Sequence, residues 1–486
     1  MVTSAYEDLR EYELQYDLIP VAKEMLADNI TPILLMKKIA AKYEKYYLLE
    51  SVENSERWGR YSFLGFQPLL HVTAKNHKVL IQGEGTFITL EKENPMDVLR
   101  EMLKKNRVPS IPYLPSFLGG FVGYFSYEMY GYREKTLKLR TSDFCDLDVM
   151  MFDKVIAFDH LRQTLMIIVN YKGKEGKEGY EKALKDIEDV IHFIKEEMNV
   201  AKEQVEEKTE FTCNLSKDEF IKMVEKVKEH IKEGDIFQAV VSRRFESQYK
   251  GSLLNTYRIL RTTNPSPYMY YIHTDKIEIA GASPETLIKL EHKKLTTFPV
   301  AGTRKRGKDE IEDMALMKEL LEDEKELAEH NMLVDLARND IGQIAEFGTV
   351  KVEEYQKIHR FSKVMHITSK VTGMLKEGYD GCDAISTLLP AGTLSGAPKI
   401  KACQIIDSLE PVPRGIYGGA IGYLDFSGNV DVCIAIRTAI KKDNKVYVQA
   451  GAGIVSDSVP IKEYEECENK ASAIMNAVYR AQEVDG

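Results

Sequence analysis

The sequence of 486 residues lacks the features that mark disulfide-rich, nucleic-acid-binding and membrane proteins. Its six cysteines form no C-x-x-C pair, so they are expected to be reduced thiols, not a disulfide framework or a zinc site. The net charge of −10 argues against binding to nucleic acid or an anionic membrane. The apolar runs are far shorter than a bilayer span, and the acidic N-terminus has no secretory apolar core. These absences predict a cytoplasmic protein.

Internal repeats and biased tracts are also missing, which excludes solenoid, propeller and largely disordered architectures. The composition is that of an ordinary globular protein, with 44% apolar and 29% charged residues. A chain of this length can bury a substantial core and suggests two to three domain-sized units.

Patterning predicts two domains, residues 1–205 and 212–486. The first 170 or so residues alternate short β-type runs with turns. A Lys/Glu-rich stretch with helical periodicity follows at 172–210, and its end, 201–210, is typical of a solvated linker.

The second domain is expected to mix strands and helices without a strict β-α-β alternation. Ser216 and Glu219 form an S-x-x-E capping box, and Gly234 suits the end of the helix that follows. Two long helices are predicted at 309–338 and 460–482. Strands are predicted at 236–245, 276–281, 294–302, 364–373, 418–426, 430–440 and 445–453. The pattern predicts an α+β fold of large, mainly antiparallel β-sheets flanked by helices.

Two Glu pairs spaced i, i+3 are the most informative local feature: Glu326 with Glu329, and Glu463 with Glu466. The spacing puts both carboxylates of a pair on one helix face, where like charges repel. If the two faces meet, a hard cation such as Mg²⁺ explains the pairs better than chance, because it prefers oxygen ligands. On an isolated helix the same pattern, with Lys470 one turn on, describes a solvated, salt-bridged surface. The sequence leaves both interpretations open.

Arg437 and two glycines are candidates for holding an anion. Arg437 lies among apolar residues in a predicted strand, where its guanidinium needs a carboxylate partner from either a substrate or the protein itself. The amides of Gly451 and Gly453 can line a pocket with no Cβ in the way. The segment 451–456 lacks the third glycine of the dinucleotide fingerprint, so a Rossmann site is not expected.

Glu285, His366 and Thr393 are candidates for acid, base or hydroxyl chemistry. Glu285 follows a predicted strand and a Ser-Pro turn, and Thr393 lies in a loop of small residues. His366 has apolar neighbours in a predicted strand, so a hydrogen-bonded core histidine is the alternative to a functional one.

Five segments in this second domain form a recognisable set when they are taken in order. The segments are GDIFQAVVSRR (234–244), FPVAGT (298–303), EKELAEH (324–330), AGTLSGAPK (391–399) and QAGAGIVSDSVPIKEYEECENK (449–470). LVDLARNDIG (333–342), AGTLSGAPK and GAGIVSDS with the following E-x-x-E-x-x-N-K are specific as a set. Together these segments resemble the chorismate-utilising enzymes, and within them the branch of anthranilate synthase large subunits. The resemblance runs from about residue 40 to the C-terminus.

The resemblance implies that chorismate binds through its ring carboxylate to Mg²⁺. Glu329 and Glu466 would be the nearest acidic groups, with Glu326 and Glu463 behind them. Arg437 and nearby glycine amides would hold the carboxylates. The residues implied to line the chorismate pocket are Gln238, Ala301, Gly302, Thr303, Tyr417, Gly418, Arg437, Gly451, Ala452, Gly453 and Lys470.

Three residues are implied to be catalytic. Glu285 matches the family's general acid on the departing C4 hydroxyl. His366 matches the histidine beside the ring, which supports the loss of pyruvate. Thr393 would complete this part of the site.

Two positions distinguish the branches of the family. Members that add water at C2 carry Lys where this chain has Gln238, because water needs a base, whereas ammonia attacks without deprotonation. Many aminodeoxychorismate synthases carry a nucleophilic Lys where this chain has Ala301. Both residues favour direct addition of ammonia at C2.

The first domain resembles the family's tryptophan feedback site. The segment 48–65 would supply one wall and NPSPYMYY (264–271) the other. The implied tryptophan-binding residues are Glu50, Ser51, Pro267, Met269 and Tyr423. The alternative is a scaffold that does not respond to tryptophan.

No glutaminase is visible in the sequence. Cys382 is the nearest candidate for a nucleophile elbow and lacks a partner histidine pattern. The expected partner is therefore a separate glutamine amidotransferase subunit, in a hetero-oligomer.

The expected reaction is the Mg²⁺-dependent conversion of chorismate and ammonia to anthranilate and pyruvate, with feedback inhibition by tryptophan. Aminodeoxychorismate synthase component I is the enzymatic alternative. A tryptophan-binding subunit without catalytic activity is the alternative from another class.

Overall fold

Alternating apolar side chains build two large sheets in the computed structural model, which describes residues 4–51, 59–197, 209–360, 364–481 and 484. Each sheet has twelve strands, and the ladders are antiparallel. In chain order the strands are β1 (Leu18–Leu26), β2 (Tyr46–Glu50), β3 (Tyr61–Phe66), β4 (Leu70–Lys75), β5 (Lys78–Gly83), β6 (Thr86–Glu91), β7 (Gly120–Phe125), β8 (Leu147–Phe152), β9 (Lys154–Asp159), β10 (Thr164–Lys172), β11 (Thr212–Cys213), β12 (Gln238–Gln248), β13 (Tyr268–His273), β14 (Ile277–Ser283), β15 (Thr286–Glu291), β16 (Lys294–Thr297), β17 (Val300–Lys305), β18 (Lys351–Arg360), β19 (Val364–Met374), β20 (Gly396–Ala397), β21 (Ala420–Asp425), β22 (Val430–Ile434), β23 (Thr438–Lys442) and β24 (Lys445–Ile454).

Twelve α-helices in the described residues cover the sheets or connect their strands. They are α1 (Tyr6–Leu9), α2 (Pro32–Lys42), α3 (Met96–Lys104), α4 (Tyr130–Arg133), α5 (Gly176–Lys195), α6 (Lys217–Lys232), α7 (Leu254–Thr263), α8 (Glu310–Glu322), α9 (Glu324–Gly342), α10 (Gly381–Leu388), α11 (Lys399–Leu409) and α12 (Pro460–Arg480). None of the helices in the described ranges is both long and apolar enough to cross a membrane. The predicted α+β class is confirmed.

Strands from both halves of the chain share each sheet. The first sheet runs β1-β10-β9-β3-β2-β13-β14-β23-β24-β12-β11, with β20 also on β12. The second runs β17-β19-β16-β15-β22-β21-β7-β8-β4-β5-β6, with β18 also on β19. The halves meet where Glu50 pairs with Met269 and where Phe125 pairs with Ala420. The division into domains 1–205 and 212–486 stays a prediction, and residues 201–208 of the predicted linker lie outside the described residues.

The core lies between the two sheets and holds aromatic side chains from both. The ring of Tyr47 on the first sheet lies 4.7 Å from that of Phe152 on the second. Phe117 and Tyr423 pack at 4.4 Å in the same layer. Burial of such large apolar surfaces is the main stabilising contribution in a protein of this size.

Three predicted elements are each two elements in the structure, and one of them, the strand predicted at 430–440, is β22 and β23. The helix predicted at 309–338 is two helices, because Asp323 leaves helical geometry and caps α9 by accepting from Lys325 N and Glu326 N. The strand predicted at 294–302 is likewise β16 and β17, separated at 298–299. The capping box of Ser216 and Glu219 is confirmed at α6.

Candidate active site

Two of the connections that take the chain from one sheet to the other lie side by side, and each carries a candidate site residue. Glu285 lies between β14 of the first sheet and β15 of the second. Arg437 lies between β22 of the second and β23 of the first. Main-chain hydrogen bonds join the crossings, from Ile434 N to Glu285 O at 3.0 Å and from Ala282 N to Arg437 O at 3.1 Å. The backbone therefore places the acid and the guanidinium near each other.

The position of Arg437 corrects the sequence prediction, which placed it inside one strand. The apolar residues around it belong to two strands in different sheets, and its φ of 51° is left-handed. Such a backbone conformation is uncommon for a residue other than glycine and marks functional sites more often than regular structure. Burial lowers the pKa of Arg437, and the charge of Glu285 counteracts this.

Glu285 is held as a carboxyl that titrates near neutrality. Burial raises its pKa to about 7, against the hydrogen bond from Thr393 and the positive charges of Arg437 and Lys470. Thr393 Oγ1 donates to Glu285 Oε1 at 2.9 Å. A carboxyl with this pKa is partly protonated at physiological pH, which suits a general acid.

His366 lies on β19 beside the bulge of β17. Its Nδ1 is 3.0 Å from Gly302 O and 2.9 Å from Thr303 Oγ1. A carbonyl can only accept, so Nδ1 carries a hydrogen and Nε2 is the lone-pair nitrogen of the neutral ring. Burial lowers the pKa of His366, and the charge of Arg437 lowers it further. Ala301 precedes Gly302 on β17 and pairs with Ile367 of β19 across the ladder.

Gln238 begins β12, pairs with Ala397 of β20, and places its side-chain amide beside Gly453 of β24. A Cβ at Gly453 would lie 2.5 Å from Gln238 Nε2, so only glycine leaves room for this amide. Gln238 Oε1 is buried and has no hydrogen-bond partner among the described residues. A buried acceptor without a donor is costly, so this oxygen is a candidate to accept from water or from a bound molecule.

The neighbouring β24 residues complete this wall. A Cβ at Gly451 would lie 2.9 Å from the hydroxyl of Tyr417, and Gly451 O accepts from Lys470 Nζ at 3.1 Å. Gly418 follows Tyr417 with a φ of 75°. Ala452 buries its methyl in a separate apolar cluster, so only its backbone is available to the site.

One interaction links the two Glu pairs, because the charge of Glu466 on α12 acts on Glu329 of α9. Burial raises the pKa of Glu329, and the charges of Glu326 and Glu466 raise it further. Burial raises the pKa of Glu463 too, and the charge of Glu466 adds to this. Glu329 and Glu466 therefore repel each other between the helices, but Glu466 is exposed, as the solvated-surface interpretation expects, so both interpretations stay open. Lys470 Nζ pairs with Glu466 Oε1 at 2.7 Å.

The donor set fits a hard divalent cation, because it offers carboxylate oxygens whose mutual repulsion a cation would relieve. Arg304 also holds Glu326, at 3.3 Å, and orients it. In the described ranges no three of the four carboxylates approach within 4.8 Å, so waters or substrate would have to complete the coordination. Mg²⁺ itself stays a prediction.

Most of the residues predicted to bind tryptophan lie in another region, around the ends of β2 and β13 in the first sheet. Glu50 accepts from Ser62 Oγ at 3.0 Å and pairs with Arg261 Nε at 3.0 Å. Met269 faces Glu50 across the ladder, with Ser51 next in the chain and Pro267 two residues before Met269. Tyr423 comes from the second sheet. Residues 52–58 of the predicted segment lie outside the described residues.

Two ion pairs in this half of the chain escaped the sequence analysis. Lys399 Nζ bonds Asp340 at 2.7 Å and joins two of the recognised motifs. Arg414 and Glu410 form a pair at 2.6 Å with both side chains almost fully enclosed. Neither ion pair is part of a periodic pattern, so periodicity does not reveal it. The sequence Pro413-Arg414-Gly415, shortly before Tyr417, is typical of a turn and is the local signal that could have indicated the second pair.

The fold and this site define a class of protein. The family described as chorismate binding enzyme matches residues 44–476, and the chain belongs to this family. It is an enzyme family, in agreement with the acid, histidine and anion-binding groups of the site.

Individual relatives show which branch of this family the chain resembles. Anthranilate synthase component 1 of Acetivibrio thermocellus is 46% identical, over 96% of this chain and 97% of its own. That of Aquifex aeolicus is 44% identical, over 98% of each chain. A crystal structure of anthranilate synthase component I from Streptococcus pneumoniae is 35% identical and superposes with a TM-score of 0.78, covering 93% of this chain and 98% of that one. The resemblance seen in the sequence is confirmed.

Proposed function

We propose that this chain is the chorismate-aminating subunit of an anthranilate synthase in the cytoplasm, with Mg²⁺ as cofactor. The observation that carries the proposal is the position of Glu285, a half-buried acid that accepts from Thr393 at the crossing beside Arg437, where burial raises its pKa to about 7. It would stand opposite a neutral Gln238 acceptor that suits an incoming ammonia. The relatives named anthranilate synthase component 1 support this choice of branch.

In the first step the nitrogen of ammonia bonds C2, the ring double bond shifts, and the C4 hydroxyl leaves as water. Gln238 Oε1 accepts a hydrogen bond from the ammonia, and Glu285 gives its proton to the leaving oxygen. Arg437 holds a carboxylate of chorismate. When bound, Mg²⁺ would hold the ring carboxylate, with Glu329 and Glu466 as the nearest protein groups.

In the second step the ether bond at C3 breaks and the C2 proton is lost. The pyruvyl group leaves as enolpyruvate, which becomes pyruvate, and the ring becomes aromatic. The neutral ring of His366, with Nδ1 fixed by Gly302, presents Nε2 as a base for that proton. No covalent amine is required, because Ala301 occupies the place where a nucleophilic lysine would act.

Ammonia from glutamine would come from a separate glutamine amidotransferase, in a hetero-oligomer. Tryptophan would bind near Glu50 and Met269 and favour a less active arrangement. A physical link supports this regulation. Tyr268, between Pro267 and Met269, is 3.0 Å from Thr286 Oγ1, and Thr286 adjoins Glu285.

The test supplies the purified chain with chorismate, MgCl₂ and ammonium at alkaline pH, and follows products by fluorescence and mass spectrometry. Anthranilate and pyruvate in equal amounts, less with added tryptophan, are the expected result. An aminodeoxychorismate mass without pyruvate would assign the chain to the alternative branch. Tryptophan binding without any turnover would support the non-catalytic subunit.

A further inference from the structure

Arg414 is an enclosed guanidinium whose contacts reach three separate pieces of the candidate site. It pairs with Glu410, through Nε to Oε2 at 3.0 Å and NH2 to Oε1 at 2.6 Å, and the two residues are only 3% and 4% exposed. Its remaining N–H groups donate to the carbonyl oxygens of Leu394 and Val240. The ring centroid of Tyr417 lies 5.6 Å from its central carbon.

Leu394, Val240 and Tyr417 each belong to the proposed site or lie within two residues of a side chain that the proposed reaction uses. Leu394 follows Thr393 in the turn Gly392–Leu394. Val240 lies two residues after Gln238 on β12, so the two side chains are on the same face of the sheet. Tyr417 itself lies in the substrate wall.

Glu410 fixes the same strand a second time. Its Oε1 also accepts from Ser242 N and Ser242 Oγ, both at 2.8 Å. A buried ion pair seldom adds net stability compared with an apolar pair of the same shape. What this pair adds is a set of directed bonds to the main chain of the site segments, which an apolar pair would not make.

We propose that Arg414, paired with Glu410, is a positioning residue that holds the Thr393 turn, the Gln238 strand and the Tyr417 ring in one arrangement. This inference rests on the proposed function for the reaction that it serves. Its immediate consequence concerns the hydrogen bond from Thr393 to Glu285. Without the bond to Leu394 the turn relaxes and the hydroxyl leaves Glu285, so that only the charges of Arg437 and Lys470 still oppose the effect of burial on the pKa of that carboxyl.

The test compares Arg414→Lys with the parent. Lysine keeps the charge but cannot reach all four oxygen atoms at once. The Glu285 carboxyl is followed by isotope-edited infrared titration, its band identified by its loss in Glu285→Gln. We expect its pKa to rise by about one unit in Arg414→Lys, since a hydrogen bond to a charged group is worth about that much. The kcat with ammonium should fall about tenfold. This decrease should be a larger fold-change than the increase in KM.

Two further variants separate positioning from stability. Thr393→Val should raise the same pKa, and adding Arg414→Lys to it should raise it no further, because both act through one hydrogen bond. Arg100→Lys, at a half-buried ion cluster with Asp97, Asp380 and Asp383, should leave the pKa unchanged.

An unchanged Glu285 pKa in folded Arg414→Lys would overturn the inference, and so would additive shifts in the double variant. The titration needs no turnover. A parent enzyme that fails to aminate chorismate would therefore overturn the proposed function, while the infrared shift still decides whether Arg414 positions Thr393.

Discussion

At the residue scale, the site depends on a carboxyl that is unfavourable for the folded state. Burial raises the pKa of Glu285 from 4.5 to about 7. A carboxyl whose pKa rises on folding stabilises the folded protein least above pH 7, where it is ionised in both states, and costs nothing below its unfolded pKa. The raised pKa that lowers stability is an advantage for general acid catalysis, because the carboxyl then keeps its proton close to neutral pH.

Glu285→Gln is therefore expected to raise the thermal midpoint while abolishing turnover. The stabilisation should be small at pH 4.5, grow up to about pH 7 and stay constant above it, because only then is the parent's carboxyl fully ionised. Thermal unfolding of both proteins across this range measures it. In the parent, kcat at constant free ammonia should fall above about pH 7. A midpoint that is equal in both proteins at pH 8 would show that the pKa of Glu285 is not raised.

Sequence patterns identified the residue types of the site but not the conformation of every residue. The Glu pairs and Glu285 were recognisable because spacing and neighbours are local properties. Arg437 was misplaced, because a run of apolar residues looks the same whether it belongs to one strand or to two strands in different sheets. Arg414 and Glu410 gave no periodic signal, and their partners Val240 and Leu394 are distant in sequence.

At the element scale, the break between α8 and α9 orients the first Glu pair. Periodicity continued through 309–338 because Asp323 is one polar residue in an acidic stretch, and a cap there is visible only from backbone geometry. Asp323 also bonds Arg304 at 2.8 Å, and Arg304 bonds Glu326. The cap therefore controls both the start of α9 and the direction of one of its carboxylates.

We expect Asp323→Ala to raise the Mg²⁺ concentration needed for half-maximal activity, besides costing about 1 kcal/mol of stability for the lost cap. Asp309→Ala is the matched control, since Asp309 caps α8 by accepting from Glu312 N at 2.9 Å and α8 carries none of the predicted metal-binding residues. Denaturant unfolding and a Mg²⁺ titration of the rate measure both effects. Equal Mg²⁺ requirements in the two variants would contradict the role of the cap.

At the scale of the whole molecule, the interleaved sheets bring the two predicted sites into contact. Tyr268 belongs to the first sheet, but its hydroxyl bonds two residues of the second, Thr286 at 3.0 Å and Asp431 at 2.7 Å. Thr286 adjoins Glu285, and Met269 beside Tyr268 faces Glu50. The distribution of strands between sheets could not be predicted from the sequence, because local patterns do not specify which strands pair.

If tryptophan acts through this contact, Tyr268→Phe should still bind tryptophan but respond to it about tenfold more weakly, a typical size for a coupling of this kind. Calorimetry measures the binding, and the ammonium-dependent rate measures the inhibition. Tyr271→Phe is the control, because that hydroxyl is on the same strand but bonds Ser252 and Glu278 instead. Inhibition of Tyr268→Phe equal to that of the parent would exclude this route.

The paired crossings have a consequence for how such an enzyme can change its chemistry. Glu285 and Arg437 are set by main-chain bonds between two strand connections, which a point mutation does not remove. Gln238 and Ala301, the residues proposed to determine the attacking group, are ordinary strand residues that a few base changes can replace. The fold itself thus fixes the groups proposed to assist departure of the leaving group. The residues proposed to select the nucleophile can change by point mutation, so a new product needs no new scaffold.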